Sequence, residues 1–156
     1  MVLDARLQKL APGLTAARAA AAAPEEELDA MIEAMFLMAA VDDRVTGEEL
    51  RRLADCVSGL VGAEVVEDEL QAKLAEMNES LARDGWTQRL RAVAGRLRAP
   101  ETRRIAFQLA AGVAFVDDRV EHSEAAAIEA LAGALGLDHG ESQRLLDETV
   151  RELFGG

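Results

Sequence analysis

Apolar positions recur at helical spacing along most of the chain. Leu28, Met31, Ile32, Met35, Phe36 and Ala39 fall at three- and four-residue intervals, which predicts a helix with one apolar face. Pro24 at the first helical position, followed by Glu25, Glu26 and Glu27, favours a start there, because acids are stabilised at the positive end of the helix dipole. This helix should end near Val41. Thr46 to about Ser58 is the next expected helix, opened by a capping box of Thr46 and Glu49 and closed by Gly59 or Gly62. Glu64 to about Asp84 carries Leu70, Leu74, Met77 and Leu81 on one face, and Gly85 ends it. Further helices are expected over Thr87 to about Arg98, Pro100 to about Val116, and Glu121 to about Leu135. A last one runs through Leu153, with Gly136 closing the helix before it and Asp138 and Glu141 capping it. Asp4 to about Ala23 reads as one more helix, broken near Pro12-Gly13.

The prediction is an all-α, compact bundle of about seven or eight helices. Residues 1–23 form an N-terminal helical extension and 24–156 one domain. Composition agrees: half the residues are hydrophobic but only 3% are aromatic, so the core must be aliphatic, as close-packed helices allow. Runs rich in Val, Ile, Thr and Tyr, which would mark strands, are absent.

An internal repeat changes this picture. The pentapeptide VDDRV stands at Val41–Val45 and again at Val116–Val120, an offset of 75 residues. The same offset aligns Ala39–Gly62 with Ala114–Leu137 without a gap and matches Glu49 to Glu124. Each copy reads as apolar helix, acidic loop, amphipathic helix. Two such hairpins, near 25–62 and 100–137, can bury each other's apolar stripes around a pseudo-two-fold axis.

The repeated carboxylates admit two readings. In the first, Glu49 completes a capping box, Asp42 and Asp43 are ordinary loop residues, and Arg44 neutralises them. The second copy strains that account: Glu121 stands where Thr46 stood and is a poor N-cap, yet Glu124 is kept. In the second reading, Asp42, Asp43, Glu49, Asp117, Asp118 and Glu124 converge. Crowded carboxylates repel unless a cation neutralises them, and all-oxygen ligands select calcium, magnesium or manganese. Spacing alone leaves both open. An EF-hand beginning at Asp42 fails, because Arg44 and Thr46 stand at ligand positions and Leu53 where a Glu is needed. A di-iron bundle fails for want of Glu-x-x-His pairs.

The segments AAVDDRVTGEEL (Ala39–Leu50) and AFVDDRVEHSEA (Ala114–Ala125), with the ending LGLDHGESQRLLDE (Leu135–Glu148), resemble the TerB-like tellurite-resistance family over roughly Pro24 to Phe154. The resemblance implies a pseudo-symmetric all-helical domain with a divalent-cation site mapped to Asp42, Glu49, Asp117 and Glu124. It implies a place in tellurite resistance and stress response beside other such proteins, some membrane-associated, and no catalytic activity. One departure is plain: the family's turn favours Asp-Gly, whereas Asp43 and Asp118 stand at the glycine positions here. Asp is among the few L-residues that tolerate positive φ, so the turn can survive, with two added charges.

The net charge of −12 makes nucleic acid and anionic lipid poor partners and favours cations or basic protein surfaces. Seven Arg between Arg83 and Arg104 (83, 89, 91, 96, 98, 103 and 104) form a local exception. They either pair with the chain's own acids or dock an acidic partner, which would make the protein a metal-independent adaptor. Cys56 aligns with the apolar Leu131 and is expected to be buried and inert. His122 is expected to be an exposed loop residue, and Trp86 a packing plug. No Gly-rich phosphate loop, nucleophile elbow or zinc spacing is present, so no organic cofactor and no enzymatic activity are expected. The most apolar run, Met35–Val41, is far too short to span a bilayer, and the first ten residues lack a signal-peptide pattern. A soluble cytoplasmic protein is the expectation.

Overall fold

The computed structural model describes residues 25–40, 50–51, 53–54, 67–116 and 122–154. Six helices span them: α1 (Glu25–Ala39), α2 (Glu67–Asp84), α3 (Trp86–Arg96), α4 (Pro100–Val116), α5 (His122–Ala134) and α6 (His139–Phe154). Among the described residues there is no strand. Six whole helices thus lie among the described residues, against the seven or eight expected for the chain. Of the two other expected helices, the one over 4–23 lies outside the described residues. The one over 46–58 is described only at Leu50, Arg51, Leu53 and Ala54, which are helical.

Helix α1 is central. Every residue from Ala30 to Met38 is at most 4% exposed, so α1 is buried all round rather than along the single apolar face expected, and Ala39 is exposed. The physical reason is composition. AMIEAMFLM is apolar on every side but for Glu33, and a helix apolar all round is a core helix. It packs chiefly on α4 and next on α3; α4 in turn carries α5 and α6, and α2 lies against α3 and α1. The stripe Leu70, Leu74, Met77 and Leu81 is buried as its spacing predicts. One hydrophobic core links residues from Ala30 to Leu145.

The helix ends follow local rules. Gly85 has φ +86°, which side-chain-bearing residues rarely adopt, and it lets α3 start immediately after α2. Hence α3 begins at Trp86, one residue before the expected Thr87. It stops at Arg96 rather than Arg98, with Leu97 already extended. Helix α5 closes in a Schellman motif. Leu137 N–H donates to Ala132 O (2.9 Å) and Gly136 N–H to Gly133 O (3.1 Å), with Gly136 at φ +74°. Asp138 Oδ1 accepts from Glu141 N–H at 2.7 Å and caps α6. The Glu141 carboxylate also takes Arg104 Nε at 2.7 Å.

Candidate functional site

Each VDDRV begins where a core helix stops: Val41 follows the turn residue Ala40, and Val116 is the last residue of α4. Helices α1, α4 and α5 have no basic residue in their last turns, whereas α2, α3 and α6 carry Arg83, Arg96 and Arg151 there. The negative ends of two core helix dipoles are therefore left without a cation from their own last turns. Asp42, Asp43, Glu49, Asp117 and Asp118 lie outside the described residues, as do Glu121 and Cys56. Glu124 and His122 belong to the first turn of α5, so His122 is helical rather than in a loop; their side chains lie outside the description. Among the described residues, no group of three or more His, Cys, Asp or Glu is placed to hold a metal ion.

The arginine-rich segment is mostly turned inward. Glu33, in the middle of α1, has a side chain only 2% exposed. Arg89 grips it with both arms, Nε to Oε2 at 2.7 Å and Nη2 to Oε1 at 2.9 Å, and Arg96 Nη2 also donates to Oε1. Arg89 reaches Asp84 as well, at 3.3 Å. The Glu33 hydrogen bond, with burial opposing it, pushes the Arg89 pKa up. Arg83 pairs with Asp84 at 3.1 Å. Arg103, from the first turn of α4, donates to Leu97 O (2.7 Å), Ala94 O (3.4 Å) and Leu135 O (3.2 Å), tying the ends of α3 and α5 to α4. Arg91 and Arg98 are exposed.

Glu33 was legible as the lone charge inside AMIEAMFLMA, and Arg89 and Arg96, seven apart, share one face of α3. The expectation that these arginines pair with the chain's own acids is met; that two of them share one buried carboxylate depends on how α3 packs on α1, which no local pattern shows. Trp86 is half-buried against the core as expected of a plug. It also does something unexpected: its Nε1–H donates to Leu37 O at 2.9 Å, in the last turn of α1.

These features define an acidic, all-helical module whose central helix is held by a buried ion cluster and whose two longest-packed helices each run into a duplicated acidic motif. The family model described as "Tellurite resistance protein TerB" matches residues 28–147, which takes in both motifs and reaches from α1 into α6. The chain belongs to the TerB family. Searches of curated proteins and of solved structures gave no significant match.

Proposed function

We propose that this TerB-family chain is a non-enzymatic helical module that binds a divalent cation through its paired acidic loops. Asp42, Glu49, Asp117 and Glu124 are the ligands, with Asp43 and Asp118 as added charge. The observation that carries this reading is the shared position of the two motifs. Both VDDRV copies start at the C-terminal ends of α1 and α4, the pair of helices packed most extensively together, and neither last turn carries a cation of its own. Carboxylates following a negative dipole end create a field that a hard cation relieves. Oxygen-only ligands fit calcium, magnesium or manganese and no soft metal. The module works with other tellurite-resistance or stress-response proteins, some of them membrane-associated. No helix among the described residues is long and apolar enough to cross a membrane.

Calorimetric titration with the three chlorides tests the reading. Binding should appear in the wild-type chain and disappear in Asp42→Asn/Asp117→Asn. Removing four to six crowded charges' mutual repulsion with a cation should also raise the thermal midpoint of the wild type alone. A folded wild-type chain that gives no heat with any of the three ions removes the site.

A further inference from the structure

Five of the seven arginines between Arg83 and Arg104 are engaged within the chain. Arg83 pairs with Asp84, Arg89 and Arg96 with Glu33, and Arg104 with Glu141, while Arg103 donates to backbone carbonyls. Arg91 and Arg98 are exposed and have no side-chain partner among the described residues. Both lie toward one side of α3, seven positions apart, with Arg98 two residues past the helix end. The Arg98 N–H is fixed to Glu27 Oε1 at 3.4 Å. Gly95 stands between them, exposed, with open space where a Cβ would go. Helix α3 contains no acid.

Helix α2 carries the complementary pattern. Glu69 and Glu76 are exposed, seven positions apart, and have no side-chain partner among the described residues. Exposed Ala72 stands between them. Going along α2 the spacings are three and then four residues; going back along α3 from Arg98 they are the same. An α2 laid antiparallel on α3 therefore sets Glu69 against Arg98, Ala72 against Gly95 and Glu76 against Arg91 in one register. Two residues with little or no side chain face each other there, which lets the backbones approach. Laid parallel, Gly95 would meet Lys73, whose ammonium is already held by Asp29 at 2.8 Å.

We propose that the chain associates with a second copy of itself, α3 of each resting antiparallel on α2 of the other through these Arg–Glu pairs. Each copy carries both faces, so a two-fold arrangement makes the contact twice. Two arginines are too few for an anionic membrane, where recognition takes about 4–8 basic residues. Nucleic acid is repelled by the net charge of −12. That charge also opposes self-association, but at about 0.15 M salt, charges more than about 8 Å apart are screened while touching pairs are not. Exposed pairs contribute little each, so the contact is weak and sensitive to salt.

Sedimentation equilibrium of the full chain at up to millimolar concentration tests this. Wild type should self-associate at about 0.15 M salt and dissociate near about 1 M, where the screening length falls to about 3 Å. Arg91→Glu/Arg98→Glu and Glu69→Lys/Glu76→Lys each bring like charges together, so each should associate at least about ten-fold more weakly. An equimolar mixture of the two should recover association, because every contact between unlike chains again joins opposite charges. Gly95→Gln leaves the charges and fills the open space. It should weaken association without lowering the thermal midpoint, since Gln favours a helix more than Gly does. If a charge-reversed chain does not fold, Gly95→Gln decides alone. A monomeric wild type, unchanged association in a folded variant, or a mixture that stays monomeric overturns the proposal. Binding of a glutamate-rich peptide to a monomeric wild type, lost in Arg91→Glu/Arg98→Glu, would overturn it too and give the face to a different acidic protein.

Discussion

Helices α1 and α4 occupy stretches 75 residues apart and share one core, yet at five corresponding positions bulk and alanine are exchanged. Met31, Met35 and Phe36 of α1 correspond to Ala106, Ala110 and Ala111 of α4, whereas Ala30 and Ala34 correspond to Ile105 and Leu109. All ten are buried. At Ile32 and Phe107 the same register places a large buried side chain on both helices, so the exchange of bulk holds at these positions and not along the whole pair. The polar positions diverge as well. Asp29 of α1 pairs with Lys73 at 2.8 Å, and its counterpart Arg104 pairs with Glu141 at 2.7 Å, with the charges reversed. Buried Glu33 faces two arginines; half-buried Gln108 faces one glutamate. A repeated sequence pattern has thus become two helices that differ in bulk and in polar partners.

The largest expected effect separates Glu33 from Gln108. Glu33→Ala leaves Arg89 and Arg96 without the buried carboxylate that neutralises them, and removing one partner of a buried ion cluster costs about 3–5 kcal/mol. Gln108→Ala removes one long hydrogen bond from a half-buried site, worth about 1 kcal/mol or less. Urea unfolding of both variants measures the difference. Equal losses would mean that the charged side and the neutral side hold the core equally, and the comparison would collapse. The cluster is not evidence of high stability in itself, since apolar replacement of a whole buried ion group is often neutral or better.

Where the sequence was informative, it was so through period and punctuation. The bounds of α4 coincide with those its pattern predicts, and Gly136 and Asp138 cap the helices they were expected to cap. Those signals are local, carried by one residue's φ or one short side chain. The central place of α1 was harder to read. Periodicity finds an apolar face but does not say that the opposite face, Ala30, Ala34 and Leu37, is covered too. The Glu33 cluster lay further out of reach, because its partners are 56 and 63 residues away and pairing depends on tertiary packing. The motif that raised the cation question was plain in the sequence, as a duplicated VDDRV. Whether six carboxylates converge depends on the path of two loops, which spacing does not determine.

A smaller effect tests how the α4 side is held instead. There the main polar device is Arg103, which takes up the carbonyl of Leu135 beside the left-handed Gly136. Gly136→Ala forces a side-chain-bearing residue into that conformation, at about 1–2 kcal/mol. Its new Cβ would stand 3.5 Å from Arg103 Nη1, an ordinary contact, so the backbone and not crowding sets the cost. Gly133→Ala, three residues earlier, should do the opposite. It lies in helix α5 with open space where a Cβ would go, and alanine is better than glycine there by about 0.8–1 kcal/mol. Thermal melts of the two variants should move in opposite directions. If both fall, the end of α5 is held by something other than the Schellman turn and its arginine.

The smallest effect concerns acid. Asp84 adds a second carboxylate to the α1-side cluster, and its pKa lies below the ordinary value of 3.8. The hydrogen bond from Arg83 is the largest cause; burial opposes it, and the nearby charges of Arg83 and Arg89 reinforce it. A carboxyl whose folded pKa is depressed binds its proton less readily folded than unfolded. It therefore stabilises the fold above the unfolded pKa, and that contribution is lost as pH falls through the lower, folded value. Asp84→Asn should flatten the fall in stability below about pH 4, where an unperturbed Asp titrates. Because nearly a third of the Asp84 side chain is open to water (31%), solvent screening keeps the change slight. On the α4 side, Gln108 has no proton to gain, so Gln108→Leu should leave the acid limb with its parental slope. Parallel urea titrations between pH 5 and 3 measure both. An unchanged slope in Asp84→Asn would show that the arginines hold their buried Glu33 without help from the surface acid, and would confine the charged character of the α1 side to that one carboxylate.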